Sequence, residues 1–203
     1  MRAPAAVALS LLLASATGAQ EPTPPEAPVT AEFRVFAGTE EITATTRLRI
    51  MPTGARSQAS PVEAGVPLTV TVPPGIYDVQ ALRMRPEGIV GIKWAERLVV
   101  MHYPDEGGRH LEVINFEPGY GALQLRAAKG SMAAWDVAVF PAGEREARAA
   151  AAVEADDYRL FVLKAGRYDI RVRPAGAGAP QDTHWVLDVE VPADRTRLKQ
   201  VDG

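Results

Sequence analysis

The chain is predicted to be all-β, with two tandem antiparallel β-sandwich modules after a cleaved signal peptide. Three observations predict this class. A module of about 85 residues recurs within the chain, apolar residues inside each copy alternate with a period of two, and Gly- and Pro-rich turns separate the alternating runs.

The first 19 residues set the compartment. Arg2 supplies a positive charge, Ala5 to Leu13 form an apolar run too short for a membrane helix, and Ala14-Ser15-Ala16 and Thr17-Gly18-Ala19 both suit a signal peptidase. Cleavage is expected after Ala19, which places the mature chain in a periplasm or outside the cell with no transmembrane anchor. The chain has no cysteine, so neither a disulfide nor an acylated cysteine is available to it. Loss of residues 1–19 removes Arg2 and no acid, taking the formal net charge from −3 to about −4. A mildly acidic, evenly mixed surface has no electrostatic reason to seek nucleic acid. Residues 20–30, with Pro22, Pro24, Pro25 and Pro28, read as a semi-extended linker.

The repeat organises the rest. Phe33-Arg34-Val35 matches Leu123-Gln124-Leu125, and Leu48-Arg49-Ile50-Met51-Pro52-Thr53-Gly54 matches Val137-Ala138-Val139-Phe140-Pro141-Ala142-Gly143. Gly75-Ile76-Tyr77-Asp78-Val79 then matches Gly166-Arg167-Tyr168-Asp169-Ile170, and a Trp lies seventeen residues beyond the Tyr in both copies, at Trp94 and Trp185. The expected organisation is a first module over 31–116, a connector over 117–121 and a second module over 122–203.

Within the copies, Leu68, Val70 and Val72 alternate with Thr69 and Thr71, and Tyr168, Ile170 and Val172 alternate with Asp169, Arg171 and Arg173. That is the signature of strands with one face on a core and one in water. The turns are Pro52-Thr53-Gly54, Pro73-Pro74-Gly75, Pro104 to Gly108, Pro141-Ala142-Gly143 and Pro174-Ala175-Gly176. Residues Glu144 to Asp157 are rich in helix formers, so either a short helical insert or an edge strand through Ala149, Ala151 and Val153 is expected there.

In the Gly-x-Tyr-Asp-aliphatic motif the Gly closes a turn and the Tyr ring enters the core. The hydroxyl then needs a partner, and backbone near the turn is the nearest supply. Asp78 and Asp169 are expected to face outward, capping the turn or pairing with an Arg. Two carboxylates in separate modules have no reason to meet as an acid–base pair.

The stretch Pro73-Pro74-Gly75-Ile76-Tyr77-Asp78-Val79 resembles the carboxypeptidase regulatory-like and transthyretin-like sandwich repeats of secreted bacterial proteins, and the Tyr is similar to the tyrosine corner of immunoglobulin-like sandwiches. Lys164-Ala165-Gly166 lacks the prolines. The resemblance implies Ig-like, transthyretin-like modules with a non-catalytic accessory or adhesive role, and it carries over no active site.

Other chemistry is sparse. His102, Asp105, Glu106 and His110 flank an apparent hairpin and are the metal-ligand candidates; the plainer reading is a polar turn, and no cofactor is expected. Ser57, Ser60 and Ser131 lie in no nucleophile elbow, and no phosphate-cradling Gly loop is present. Trp94, Trp135 and Trp185 read as core, with Trp185 in phase with Leu187, Val189 and Val191. The segments before two of the Trp read as loops, and the partner-binding candidates there are Arg83, Arg85 and Glu87 in one copy and Asp182 and His184 in the other. The expected function is a non-catalytic protein-interaction or structural module of the cell envelope, with a protein or envelope polysaccharide as partner. A carbohydrate-binding module using Trp94 and Trp185 or the loops before them is the alternative, and a metal-dependent hydrolase a distant third.

Overall fold

Apolar alternation is converted into sheets almost everywhere it occurs. The computed structural model describes residues 27–57, 61–102, 109–146, 153–154, 157–176 and 182–201. The expected signal peptide, Asp105 and Glu106 lie outside the described residues. The N-terminal half contains β1 (Val29–Ala37), β2 (Glu40–Glu41), β3 (Thr46–Pro52), β4 (Val62–Ala64), β5 (Thr69–Val72), β6 (Gly75–Arg85), β7 (Gly88–Val100) and β8 (Arg109–Asn115). The C-terminal half contains β9 (Tyr120–Ala127), β10 (Trp135–Pro141), β11 (Val153–Glu154), β12 (Arg159–Lys164), β13 (Gly166–Pro174), β14 (His184–Val191) and β15 (Thr196–Val201). β1 begins at Val29, two residues inside the stretch expected to be linker. Among the described residues no helix is long and apolar enough to cross a membrane.

The two halves share one topology. In the first, β1 pairs antiparallel with β5 and parallel with β8, facing a second sheet of order β4-β3-β6-β7. In the second, β9 pairs antiparallel with β12 and parallel with β15, facing a sheet of order β10-β13-β14. A short 3₁₀ turn, Thr43–Thr45 or Met132–Ala134, leads into β3 or β10. The parallel pair in each half departs from the purely antiparallel expectation. The last strand of each half returns to the first strand's sheet along its free edge and in its direction, which only a long crossover permits.

β4 and β11 break the symmetry. β4 pairs with β3, whereas β11 pairs with β12 in the opposite sheet. Val153 therefore sits in an edge strand, while Ala149 and Ala151 lie outside the described residues.

Each half encloses its own core. Phe33, Val35, Leu48, Ile50, Tyr77, Val79 and Val100 are packed in the first, and Leu123, Leu125, Val139, Phe161, Tyr168, Ile170 and Val191 in the second. A third cluster joins the halves: Phe36, Leu111 and Val113 meet Ala122, Tyr158, Leu160 and Val162. Polar ties flank that seam. Thr196 Oγ1 accepts the Val113 amide at 2.8 Å, Lys93 Nζ pairs with Asp194 at 2.8 Å, and Arg195 donates to the Glu96 carbonyl at 3.0 Å. Gly121 lies so close beneath Pro192 that a Cβ there would fall 2.0 Å from the Pro192 carbonyl oxygen, so only glycine fits.

The two tyrosines do the same job twice. Tyr77 donates its hydroxyl proton to the Pro73 carbonyl at 2.7 Å, and Tyr168 donates to the Lys164 carbonyl at 2.6 Å. Each ring folds back over the motif glycine, whose added Cβ would stand 3.3 Å from Tyr77 and 3.6 Å from Tyr168. Burial raises both hydroxyls above their ordinary pKa, which keeps them proton donors. Tyr77→Phe and Tyr168→Phe are each expected to lower the unfolding free energy by about 1 kcal/mol in urea titrations. A loss indistinguishable from zero would mean that the hydroxyl bond adds nothing to the corner.

Candidate functional site

The residue after each tyrosine decides which side chains reach the outer surface. Asp78 and Asp169 do not face water as expected; they are 3% and 5% exposed. Asp78 accepts the Arg97 amide at 3.0 Å, the Thr53 hydroxyl at 3.1 Å and the Arg56 guanidinium at 2.8 Å. Asp169 accepts the Asp188 amide at 2.9 Å and the Gly143 amide at 3.1 Å. The turn-capping and Arg-pairing roles are therefore met, but from a buried position beneath the turn.

In both halves the amide donor lies nineteen residues beyond the Asp, opposite a break in register. The ladder slips between Tyr77 and Val79 and again between Tyr168 and Ile170. The bulged residues Arg97 and Asp188 take φ of 55° and 59°, a left-handed conformation that costs a non-glycine residue about 1 kcal/mol. A carboxylate accepting the amide of that residue offsets the cost. Burial works to raise the Asp78 carboxyl, yet the Arg97 amide, the Arg56 guanidinium and the Thr53 hydroxyl outweigh it and hold the group below its ordinary value. The Asp188 and Gly143 amides hold Asp169 low in the same way, against burial and with help from the nearby Arg145 charge.

A bulge of one residue reverses the facing of everything before it. Val189 and Val191 point into the core, but N-terminal to Asp188 it is Val186 that packs inward while Leu187 is 54% exposed. Trp185 and Trp94 thereby move to the outer faces of their sheets and are not core, contrary to the unbroken alternation read from the sequence. Trp135 packs only partly buried against the C-terminal core. Each displaced ring is covered by an arginine: Arg56 lies 4.3 Å from the Trp94 ring centre and Arg145 lies 4.6 Å from that of Trp185. Arg56 and Arg145 stand two residues beyond the matched glycines Gly54 and Gly143 and extend the repeat. That spacing was the available signal for them, and it was missed.

The outer faces then diverge. In the C-terminal half Arg173 pairs with Asp136 across β10 and β13, and Arg167, which lies opposite Glu190, pairs with Asp188. At the matched places of the N-terminal half Leu82 lies opposite Arg47, and Ile76 lies opposite Val99. Of the nine large apolar side chains exposed among the described residues, eight belong to the N-terminal half, including Ile76, Ile89, Val90, Ile92, Val99 and Met101. A hollow of about 340 Å³ on this face has Leu82, Met84 and Ile89 on one side and Arg47, Arg49 and Gly65 on the other.

The other candidates fall in different places. Arg83 and Arg85 are not in a loop but in β6, which runs through Arg85, while Glu87 sits with Pro86 in a tight turn and β7 starts at Gly88. Apolar residues continue on both sides of that turn, so a hairpin forms in place of a long connection. Asp182 is exposed, and His184 opens β14 opposite Val172. His110 is buried in β8, where Nε2 lies 3.1 Å from Glu112, while His102 Nε2 meets the Ala27 carbonyl at 2.7 Å. The two imidazoles are thus committed to different partners, and no group of three or more His, Cys, Asp or Glu suited to a metal occurs among the described residues. A second hollow, about 350 Å³, lies between the halves, bordered by Lys93, Trp94, Glu96, Asn115, Asp194 and Arg195.

No protein-family model and no curated protein matches the chain. Solved structures similar to it include the Bacillus anthracis TIE protein, at 11% identity and TM-score 0.31 over 87% of this chain and 34% of that one. The chain thus spans about a third of that protein's length. The tip fimbrial protein Mfa3 of Porphyromonas gingivalis aligns at 8% identity and TM-score 0.32, over 87% of this chain and 95% of the other. A putative adhesin of Bacteroides ovatus aligns at 11% identity and TM-score 0.29, over 80% and 83%.

The carboxylate clasps generate a pH-dependent stability of known sign. A folded-state pKa held below the unfolded value of about 3.9 contributes stability at neutral pH that disappears as pH falls through the folded pKa. Asp78→Asn and Asp169→Asn are each expected to cost about 1–3 kcal/mol at pH 7. The gap from the parent should narrow at pH 3, where the carboxylates of the unfolded parent, with a pKa of about 3.9, take up protons that the folded state resists. Urea unfolding at both pH values checks this, and a gap that stays constant or widens in acid would refute the charged clasp.

Proposed function

We propose that the protein is a non-catalytic, secreted or periplasmic interaction module of the cell envelope, which binds a protein partner through the outer face of its β4-β3-β6-β7 sheet. The observation that carries the reading is the contrast between the two halves. One topology is built twice, and the C-terminal copy carries ion-paired arginines at the places matching Ile76 and Leu82. Ile76 and Val99 are therefore exposed apolar residues where the other copy carries charge, and Ile89 and Ile92 add to the exposed apolar surface of the same face. Exposed apolar surface on this scale carries a solubility cost that a binding role offsets.

Carbohydrate stacking has less support. The faces of Trp94 and Trp185 that a sugar ring would use are already occupied by Arg56 and Arg145. The His102 and His110 imidazoles meet separate partners among the described residues, which gives the hydrolase reading no support.

A photo-crosslinking amino acid placed at Ile92, and separately at Leu187, tests the proposal in intact producing cells. Both positions are about half exposed, so the two variants report on their surroundings equally well. Crosslinking from 92 to a discrete envelope protein, with none from 187, is the expected result. Equal yields at the two positions, or attachment from 92 to carbohydrate alone, would contradict it.

A further inference from the structure

Resting on that interaction reading, we infer that β7 is a docking edge for an extended segment of another protein. The segment carries aliphatic side chains on one face and carboxylates on the other, and it adds as a further strand along Gly88–Ile92.

β7 ends its sheet, and among the described residues its ladder runs only to β6. Alternate backbone N–H and C=O groups of such a strand point away from the sheet and are free to pair. The C-terminal part of the edge is occupied from within the protein, because Arg195 takes the Glu96 carbonyl and Asp194 holds Lys93. The N-terminal part, Gly88–Ile92, has no such cover among the described residues. Sheet edges are normally protected by charge, by shortness or by bulges, and the only protection of this kind along Gly88–Ile92 among the described residues is the slip at Val90. This edge is part of a thirteen-residue strand that exposes Ile89, Val90 and Ile92 and contains Gly88 and Gly91.

The two faces of this edge call for different chemistry. On the outer face Ile92 lies opposite Leu82 and Ile89 opposite Met84, on either side of a second slip in the ladder that leaves Val90 as the extra residue, so an added strand meets aliphatic side chains on both sides of that bulge. On the other face Arg83 lies opposite Gly91, where a Cβ would stand 3.2 Å from the Phe116 ring and 3.7 Å from the Arg83 Cβ. Arg83 forms no ion pair among the described residues. An added strand runs about 10 Å from β6, two strand spacings away, within joint reach of an arginine and a glutamate over a glycine. Alternation in a strand sends successive residues to opposite faces, so an aliphatic–acidic repeat satisfies both at once.

The charge pattern disfavours a second copy of this chain as the occupant. Gly88–Ile92 contains no acid, so two copies paired through it would offer neither Arg83 a carboxylate. The C-terminal half lacks the arrangement, since Pro174 and Asp182 stand at the places matching Arg83 and Gly91.

The test uses the full mature chain and a labelled acetyl-(Glu-Val)4-amide octapeptide, with binding followed by fluorescence anisotropy up to about 1 mM. Saturable binding is expected, with none for the (Lys-Val)4 peptide or for a (Glu-Val)4 peptide N-methylated at alternate residues. Ile92→Ser and Arg83→Glu should each weaken binding at least about tenfold, which is about 1.4 kcal/mol. Arg83→Lys should retain most of it, and Leu187→Ser all of it, with melting temperatures showing that every variant is folded. Absence of saturable binding, equal binding of the lysine or methylated peptide, or indifference to Ile92→Ser and Arg83→Glu would overturn the inference. If crosslinking from position 92 captures an envelope protein while the octapeptide does not bind, strand addition is wrong and the broader interaction reading stands. If neither is observed, both are wrong.

Discussion

The contact on which most of the surface depends is a carboxylate buried beneath a turn. Asp78 and Asp169 each accept the amide of a residue nineteen positions later, and that residue sits at positive φ in a bulge. Without an acceptor, the amide would be an unpaired donor on a strained backbone, and the ladder would gain by reverting to regular pairing. The preceding tyrosine fixes where the strand begins, so the aspartate is delivered to the same place in both halves. Together they make a clasp that sets the start of one strand and the register of the next.

That register has consequences far from the aspartate. Slipping β7 and β14 by one residue turns Trp94, Ile92, Trp185 and Leu187 outward and brings Ala95 and Val186 against the cores. Each half then has to manage an outer face that includes a tryptophan, and each covers the ring with the arginine two residues past its Pro-x-Gly turn. Beyond the ring the solutions part. Both halves place ion pairs beside the ring, but the N-terminal half also exposes branched aliphatics along its edge strand. The repeat builds two frames, and among the described residues one of them exposes far more apolar surface than the other. The apolar seam of Phe36, Leu111, Val113, Ala122, Leu160 and Val162 holds the second frame against the first.

Much of this was legible in the residues and some was not. The all-β class, the repeat and the inward-facing tyrosines follow from period-two alternation and from a motif that recurs in order, because burial of one sheet face imposes that pattern directly. The bulges are invisible to the same reasoning. Alternation through Trp185, Leu187, Val189 and Val191 looks unbroken, and nothing in those four residues reports the extra residue at Asp188. The cue lay instead in the partner strand, in an aspartate that follows a core tyrosine in both copies. The hairpin at Pro86–Glu87 was hidden for a related reason: exposed apolar residues on an edge resemble neither a core strand nor a polar loop. The parallel β1–β8 and β9–β15 pairs depend on how the crossover closes each sandwich, which local patterns do not encode.

The clasp is tested most directly by nuclear magnetic resonance, following the amide proton shifts of Arg97 and Asp188 as the pH is lowered. An amide that donates to a carboxylate moves when that carboxylate is protonated. Both amides should titrate together with large shifts, at midpoints below the ordinary aspartate value of about 3.9. Amides that do not respond, or that respond at or above that value, would contradict the account that buried aspartates hold the bulges and thereby choose which side chains the protein presents.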